Sequence, residues 1–115
     1  MKLIIAIIRP EKLPDVKEAL LRAKVFKFTV SNAIGRGKEE GFMEIYRGVA
    51  HEIKLLKKVR LEIAVNDNFA DRAVKAIVGA ARTHGGTVGD GKIFVLDLKR
   101  CVRIRTGEEG SKAIG

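Results

Sequence analysis

The run Leu3-Ile4-Ile5-Ala6-Ile7-Ile8 decides the centre of this fold. A stretch without a polar residue is typical of a β-strand that is covered on both faces. The run falls well short of the ~18 apolar residues that span a bilayer. Arg9 and Pro10 follow it in place of the small-residue cleavage site of a signal peptide. The sequence therefore predicts a buried first strand and no insertion into a membrane.

The segment after this strand carries a helical pattern and then a strand pattern. Its apolar residues fall at helical spacing and form one stripe: Leu13, Val16, Leu20 and Ala23. Phe26–Ile34 is rich in β-forming residues, which predicts a second strand. The next segment, from Gly35 to about Lys54, follows neither period. A loop of that length in a small domain is usually functional.

The second half of the chain repeats this order. Apolar side chains alternate with mostly polar ones and predict a half-exposed strand: Val59, Leu61, Ile63 and Val65. Asn68 and Asp71 resemble a capping pair, and we expect them to open a second helix that runs through Ala81. A glycine-rich turn then leads into a last strand from Lys92 to Leu98.

The predicted order is strand–helix–strand–strand–helix–strand, in one domain over residues 1–115. Right-handed crossovers turn this order into an α+β, ferredoxin-like sandwich, an antiparallel four-stranded sheet with two helices on one face. The helices cover only one face, yet the first and last strands are apolar on both. We therefore expect a second copy of the chain to cover the other face, in a homo-oligomer.

Charge and composition limit the classes of partner. The net charge of +9 attracts nucleic acids, nucleotides and organic acids alike. The chain has no tryptophan and only one tyrosine, and it lacks an aromatic motif for stacking bases, which disfavours nucleic acid. Its single cysteine, Cys101, fits a reducing cytoplasm. No nucleophile–base pair is evident, so we expect no enzymatic activity.

Two segments near the end of the chain point to a phosphate ligand. Gly89-Asp90-Gly91-Lys92 precedes the last strand, and successive backbone N–H groups in such a turn form an anion cradle beside the lysine. By itself this motif could equally be a tight turn. Arg103 and Arg105 follow, and in an extended segment they would leave the same face.

Several separated motifs, in order along the whole chain, carry a specific resemblance to the PII signal-transduction proteins. They are Arg9-Pro10 with Leu13 and Val16, Glu44–Gly48, Lys58–Ile63, Ala81–Thr83, Gly89–Val95 and Arg103–Glu108. The resemblance implies a homotrimer that binds ATP or ADP in the clefts between its subunits. It maps the family's T-loop onto about residues 36–54, its B-loop onto 82–92 and its C-loop onto 103–110.

The resemblance also implies roles for individual residues at the nucleotide. Gly89, Gly91 and Lys92 would hold the phosphates, and Arg103 and Arg105 would reach them from the adjoining subunit. The remaining implied contacts are Thr29 at the adenine edge, Ile7 and Ala64 as its apolar walls, Glu62 at the ribose, Asp90 within the B-loop, and Gly35, Gly37 and Lys38 at the start of the T-loop.

The T-loop differs from the family's sequence at positions that bind ligands or are covalently modified in the family. The family's modified tyrosine and serine fall on His51 and Val49, so neither covalent switch is expected. The resemblance places 2-oxoglutarate and Mg²⁺ at this loop, with the following residues involved: Glu39 (also the Mg²⁺ ligand), Glu40, Gly41 and Lys58. Acids stand at 39 and 40 where the family has glutamine and lysine. We therefore expect altered 2-oxoglutarate sensing.

Taken together, the resemblance implies a cytoplasmic regulator in nitrogen metabolism that acts on a partner protein through its T-loop. The partner could be an ammonium channel, nitrogenase or glutamine synthetase, with Tyr46 and Arg47 as contact residues. Three alternatives stay open. One is a PII-like sensor of AMP or a cyclic nucleotide in carbon metabolism. Another is a basic ferredoxin-like module that binds RNA. The third is an acylphosphatase-type enzyme, which shares the predicted order of elements.

Overall fold

The computed structural model describes residues 1–37, 45–46, 49–50 and 55–115. Its main elements are β1 (Lys2–Ile8), a 3₁₀ turn (Pro10–Lys12), α1 (Leu13–Arg22), β2 (Thr29–Gly35), β5 (Leu56–Val65), α2 (Asp67–Ala81) and β6 (Gly91–Asp97). Three short elements complete the described residues: β3 (Ile45–Tyr46), β4 (Val49–Ala50) and α3 (Ser111–Ile114).

The four long strands form one antiparallel sheet in the order β2-β5-β1-β6. The apolar run that opened the chain lies inside this sheet, paired with β5 on one side and β6 on the other. Strands β3 and β4, which lie between β2 and β5 in the sequence, pair with each other and form a separate two-stranded sheet. The order and the antiparallel pairing confirm the predicted ferredoxin-like fold.

The hydrophobic core lies between one face of the sheet and both helices. Alternate residues of β1 and β5 point to it because successive side chains of a strand face opposite ways. From β1 these are Ile4, Ala6 and Ile8, and from β5 Val59, Leu61, Ile63 and Val65. The helices bury the matching stripes against them, Val16 and Leu20 from α1 and Ala73 and Ile77 from α2.

Within the described residues, α1 and α2 leave the other face of the sheet uncovered, and this face mixes apolar with polar side chains. The cross-strand register places Thr29, Glu62, Ile5 and Phe94 in one row across this open face. Phe94 and Leu96 are 49% and 46% exposed in the single chain. The homotrimer stays a prediction, and this face is the surface it would cover.

Two sequence-based boundaries are wrong. Helix α2 begins at Asp67 after Asn66, and no side chain caps its N-terminus, so Asn68 and Asp71 are not a capping pair. The second strand begins at Thr29 and not at Phe26. The chain leaves α1 through Lys24 in a left-handed conformation (φ 63°), and the Val25 N–H donates to the Leu20 carbonyl. This turn, and not a strand, occupies the residues before Thr29.

Among the helices that the structure describes, none combines the length and the apolar character needed to cross a membrane.

Candidate functional site

The B-loop, residues 82–92, is folded around the carboxylate of Asp90. Asp90 Oδ1 accepts from the Thr83 hydroxyl at 2.6 Å and from Arg9 Nε at 3.2 Å. Its Oδ2 accepts from the backbone N–H groups of Thr83 at 3.0 Å and Thr87 at 2.8 Å. Both oxygens therefore face donors of the protein itself. Hydrogen bonds to a charged group are among the stronger ones in proteins.

These bonds favour the ionised form of Asp90. The hydroxyl and N–H of Thr83, followed by the N–H of Thr87, hold the pKa of this carboxyl well below its usual range. Asp90 therefore carries its negative charge at any physiological pH.

Two cations fasten the loop to the ends of the neighbouring strands. Arg9, directly after β1, donates from Nη2 to the Val88 carbonyl at 2.8 Å. Lys58, near the start of β5, donates from Nζ to the Gly89 carbonyl at 3.0 Å. The Lys58 side chain is only 9% exposed, which is unusual for lysine. The tip of the B-loop is thus held from β1 and β5 as well as from its own base.

Gly91 is required at the point where the loop enters β6. Its φ is +115°, a conformation that other residues rarely adopt. A Cβ there would lie 1.8 Å from the carbonyl oxygen of Ile7. The glycine therefore permits β6 to approach β1 closely at this end of the sheet.

The loop leaves two backbone donors open at its tip. Within residues 1–37 and 55–115, the N–H groups of Val88 and Gly89 donate to no protein acceptor. Gly89 has a φ of +98°, the left-handed conformation that turns a run of N–H groups toward one point. Neighbouring free N–H groups beside a lysine have the chemistry of an anion-binding turn.

A cleft of about 540 Å³ opens beside this tip. Seven of the residues predicted to contact nucleotide or 2-oxoglutarate line it: Ile7, Gly35, Gly37, Lys58, Gly89, Gly91 and Lys92. Arg36, Val88 and Phe94 complete its wall. Three basic residues and the two residues with open N–H groups thus line one cavity whose remaining wall is apolar. Such a cleft suits a ligand that is anionic at one end and apolar at the other.

The residues predicted for the adenine and ribose lie further along the same open face. Thr29 pairs directly with Glu62 across β2 and β5, and Glu62 is paired with Ile5 of β1. Arg60 donates from Nη2 to Glu62 at 2.8 Å. Ala64 lines a separate apolar pocket of about 180 Å³. The structure therefore places Thr29 and Glu62 together one row from Ile7, and outside the larger cleft.

The C-loop is not extended as the sequence suggested. Residues 104–106 form a turn, closed by the Gly107 N–H donating to the Arg103 carbonyl at 2.7 Å. Arg103 donates from Nη1 to Glu108 at 3.0 Å and from Nη2 to the Lys112 carbonyl at 2.8 Å. Arg105 is exposed. The two arginines consequently do not share one face of a strand, because Thr106 and Gly107 bend the chain between 103 and 108.

Several predicted residues cannot be placed. Lys38, Glu39, Glu40, Gly41 and Arg47 lie outside the described residues, and so do the metal and most of the 2-oxoglutarate contacts predicted there. Tyr46 lies in β3, where its backbone pairs with Val49 of β4.

The sequence interpretation missed how the B-loop is held. Arg9 and Thr83 belonged to the motifs that carried the resemblance, yet no site role was given to them. Thr87 was likewise given no site role, and its N–H donates to Asp90 while its hydroxyl donates to the Thr83 carbonyl at 3.0 Å. The signal available in the sequence was the pair of threonines upstream of an acid flanked by glycines.

Comparison with known proteins shows the family to which the chain belongs. The chain matches the family of nitrogen regulatory protein P-II over residues 1–108. It is 48% identical over 114 residues to nitrogen regulatory protein GlnK1 of Methanosarcina mazei, which covers 99% of this chain and 97% of that protein. It is 51% identical to nitrogen regulatory protein P-II 2 of Methanothermobacter thermautotrophicus, with the same coverage. It is 47% identical to nitrogen regulatory protein P-II 1 of Escherichia coli, covering 99% of this chain and all of that protein. The chain therefore belongs to the nitrogen regulatory protein P-II family.

Proposed function

We propose that this P-II protein is a sensor of adenine nucleotides in nitrogen regulation. It binds ATP or ADP at the B-loop cleft and passes the bound state to a partner protein through the T-loop. The observation that carries the proposal is the convergence of Gly89, Gly91 and Lys92 with Gly35 and Gly37 on one cleft. These residues come from two distant parts of the chain, and a turn without a ligand would not require them to line the same basic cavity.

The phosphates would bind at the tip of the B-loop. The Val88 and Gly89 N–H groups are open there, and Lys92 and Arg36 line the same cleft. Fixed N–H groups and ammonium or guanidinium groups are the usual partners of phosphate oxygens. Gly91 keeps the backbone close enough to β1 for Ile7 to form the adjacent apolar wall.

The adenosine would extend along the open face toward Thr29 and Glu62. These two side chains are cross-strand partners, so a hydroxyl and a carboxylate stand side by side beside Ile5 and Ile7. A hydroxyl and a carboxylate that form hydrogen bonds with the ligand discriminate between bases and sugars. Ala64 belongs to the same face at the far end of β5.

A homotrimer would complete each site. The open face exposes Phe94 and Leu96, and covering it removes apolar surface from water. The neighbouring subunit would then bring Arg103 and Arg105 of its C-loop to the phosphates. Nucleotide binding and assembly would support each other, because each site draws on two chains.

Nucleotide binding would change the relative populations of T-loop conformations. Gly35 ends β2, and Gly37 lines the cleft at the start of the T-loop. ATP and ADP differ by one phosphate and in affinity for Mg²⁺, so they would favour different T-loop conformations, of which the partner binds one. Tyr46 and Arg47 are the proposed contacts with that partner. An ammonium channel, nitrogenase or glutamine synthetase is proposed as the partner, and no catalytic step is assigned to this protein.

Altered 2-oxoglutarate sensing is part of the proposal. Lys58 would supply a positive charge for the oxoacid, while Glu39 and Glu40 would oppose it unless Mg²⁺ neutralises them. Titration calorimetry with 2-oxoglutarate, in the presence of Mg²⁺ and ATP, measures this directly. We expect Glu39→Gln to bind 2-oxoglutarate more tightly than the wild type, and equal affinity of the two would contradict this part of the proposal.

The experiment that tests the main proposal is calorimetry of the purified protein with ATP, ADP, AMP and cyclic AMP. We expect ATP and ADP to bind and Lys92→Ala to bind them at least about tenfold more weakly. Lys99→Ala, an exposed lysine just beyond β6, is the matched control. Preference for AMP or cyclic AMP would indicate the carbon-metabolism alternative. Salt-sensitive binding of RNA with no nucleotide binding would overturn the proposal.

A further inference from the structure

Asp90 is an acidic residue in the middle of the loop that is proposed to bind phosphate. Asp90 lies between Gly89 and Gly91, the two glycines of that loop, and it is ionised. A carboxylate close to a triphosphate repels it, and this repulsion alone weakens binding. The presence of an acid at this position therefore needs a reason other than contact with the ligand.

The geometry assigns Asp90 a positioning role. We propose that its carboxylate fixes the B-loop in the shape that leaves the Val88 and Gly89 N–H groups open for an anion, while Asp90 itself does not touch that anion. The inference deepens the proposed nucleotide function and rests on it.

The first support is that Asp90 ties together three separate points of the chain. Thr83 lies at the base of the loop, Thr87 lies at its turn, and Arg9 lies at the end of β1. All three donate to this one carboxylate over 2.6 to 3.2 Å. Arg9 also donates to the Val88 carbonyl, so the residue that carries an open N–H group is held on its other side.

The second support is that hydrogen bonds join the two ends of the glycine-rich segment 83–87 within the loop. The Gly86 N–H and the Thr87 hydroxyl both donate to the Thr83 carbonyl, at 2.8 and 3.0 Å. The Asp90 N–H donates to the Thr87 carbonyl at 3.1 Å. The N–H, the carbonyl and the hydroxyl of Thr87 therefore all form hydrogen bonds within the loop. His84, Gly85 and Gly86 all have positive φ, and they lie between Thr83 and Thr87, the two residues that these hydrogen bonds join.

The third support is that the carboxylate does not line the basic cleft. The 540 Å³ cleft is lined by Gly89 and Gly91 but not by Asp90. Asp90 lines another cavity, of about 410 Å³, between α2 and the start of β6. The carboxylate thus lies outside the basic cleft, in a cavity that it shares with Arg82 and Lys92, and Arg9 pairs with it there.

An amide cannot replace this carboxylate. Four N–H or O–H donors point at its two oxygens, so an asparagine at position 90 would direct its own NH₂ group at a donor. One or more donors would lose their acceptor, and the loop would relax to satisfy them. The electrostatic effect has the opposite sign, because removing a negative charge near the phosphates favours their binding.

The sign of the change in affinity therefore tests the inference. We expect Asp90→Asn to weaken ATP binding about tenfold in calorimetry, despite the more favourable charge. Asp71→Asn, which changes the net charge equally on the exposed surface of α2, should bind ATP like the wild type. In nuclear magnetic resonance, exchange of the Thr87 amide proton with solvent should be faster in Asp90→Asn.

A second pair of variants keeps the test decisive if Asp90→Asn does not fold. Thr83→Val removes the hydroxyl that donates to Asp90 and should weaken ATP binding, whereas Thr83→Ser keeps that donor and should restore it. Unchanged or tighter ATP binding in Asp90→Asn, or in Thr83→Val if Asp90→Asn is unfolded, would overturn the inference alone. A wild-type protein that binds neither ATP nor ADP would overturn the proposed function, and this inference with it.

Discussion

Gly91 stands so close to Ile7 that the missing Cβ of the glycine would lie 1.8 Å from the Ile7 carbonyl oxygen. Real atoms never approach to this distance, and the φ of +115° at Gly91 is already unfavourable for an L-residue. This contact joins the end of β1 to the start of β6, where the B-loop enters the sheet. The pairing of the two strands at this point therefore depends on the glycine.

Gly91→Ala should consequently destabilise the protein. We expect the free energy of unfolding to fall by about 2 kcal/mol or more, since both strain and displacement of β1 contribute. Chemical denaturation measures this change. Gly79→Ala is the matched control, because a Cβ at Gly79 meets nothing within 4 Å and alanine favours a helix. That variant should be more stable by about 0.5–1 kcal/mol. Equal stability of Gly91→Ala and the wild type would contradict the packing described here.

The depressed pKa of Asp90 predicts how stability depends on pH. An acid with a lowered pKa in the folded chain contributes stability above its unfolded pKa of about 3.9, and this contribution is lost as pH falls toward the folded pKa. The difference in unfolding free energy between the wild type and Asp90→Asn should thus stay constant from about pH 8 to pH 5 and shrink below about pH 4. Urea denaturation at several pH values tests this. A difference that already shrinks between pH 7 and pH 5 would contradict it.

The two arginines of the C-loop, Arg103 and Arg105, should contribute differently to the stability of the protein without ligand. Arg103 is hydrogen-bonded to Glu108 and the Lys112 carbonyl, so Arg103→Ala should lower the unfolding free energy by about 1 kcal/mol even without ligand. Arg105 is exposed, and Arg105→Ala should change it by less than about 0.5 kcal/mol. Both variants should weaken binding of ATP. Thermal unfolding with and without ATP separates the two effects, and an Arg105→Ala protein that binds ATP normally would remove Arg105 from the site.

The open face of the sheet should decide the oligomeric state. Phe94 is 49% exposed in the single chain, and a charged side chain at its place would have to be buried in the proposed trimer. We expect Phe94→Glu to be monomeric in light scattering coupled to gel filtration, and the wild type to be trimeric. Leu21→Glu is the control, since Leu21 is 59% exposed on α1 at the opposite side of the molecule. A trimeric Phe94→Glu protein would show that another surface holds the subunits together.

The sequence predicted the elements that local periodicity determines. The continuous apolar run Leu3–Ile8 predicted β1, which is paired on both sides. The alternation of apolar and polar residues around Leu61 predicted β5, because successive side chains of a strand point to opposite faces of the sheet. The stripe from Leu13 likewise describes α1. These patterns, with the order of elements, were sufficient for the ferredoxin-like fold.

The errors arose where contacts distant in sequence override local preference. Phe26 has a high propensity for strands, yet it is 63% exposed in the connection that follows α1. Asn68 is a good capping residue, but the helix already begins at Asp67 where β5 ends. Arg9 lies 81 positions from Asp90 in the chain, so no local pattern could show that the two side chains meet.

The candidate site was predicted in part for the same reason. The glycines and the lysine at positions 89–92 form one short motif, and an anion-binding turn could be predicted from it. The donors that hold Asp90 come from Arg9, Thr83 and Thr87, and only the folded chain brings them together.

Strands β2 and β5 are paired from Thr29 and Glu62 to Gly35 and Leu56. Everything between Gly35 and Leu56 is therefore an insertion in a hairpin that is already closed at its base. All seven residue pairs of this hairpin lie outside that segment. Replacing residues 38–54 therefore keeps every residue that pairs β2 with β5, together with Gly35, Arg36 and Gly37, which line the cleft at the B-loop.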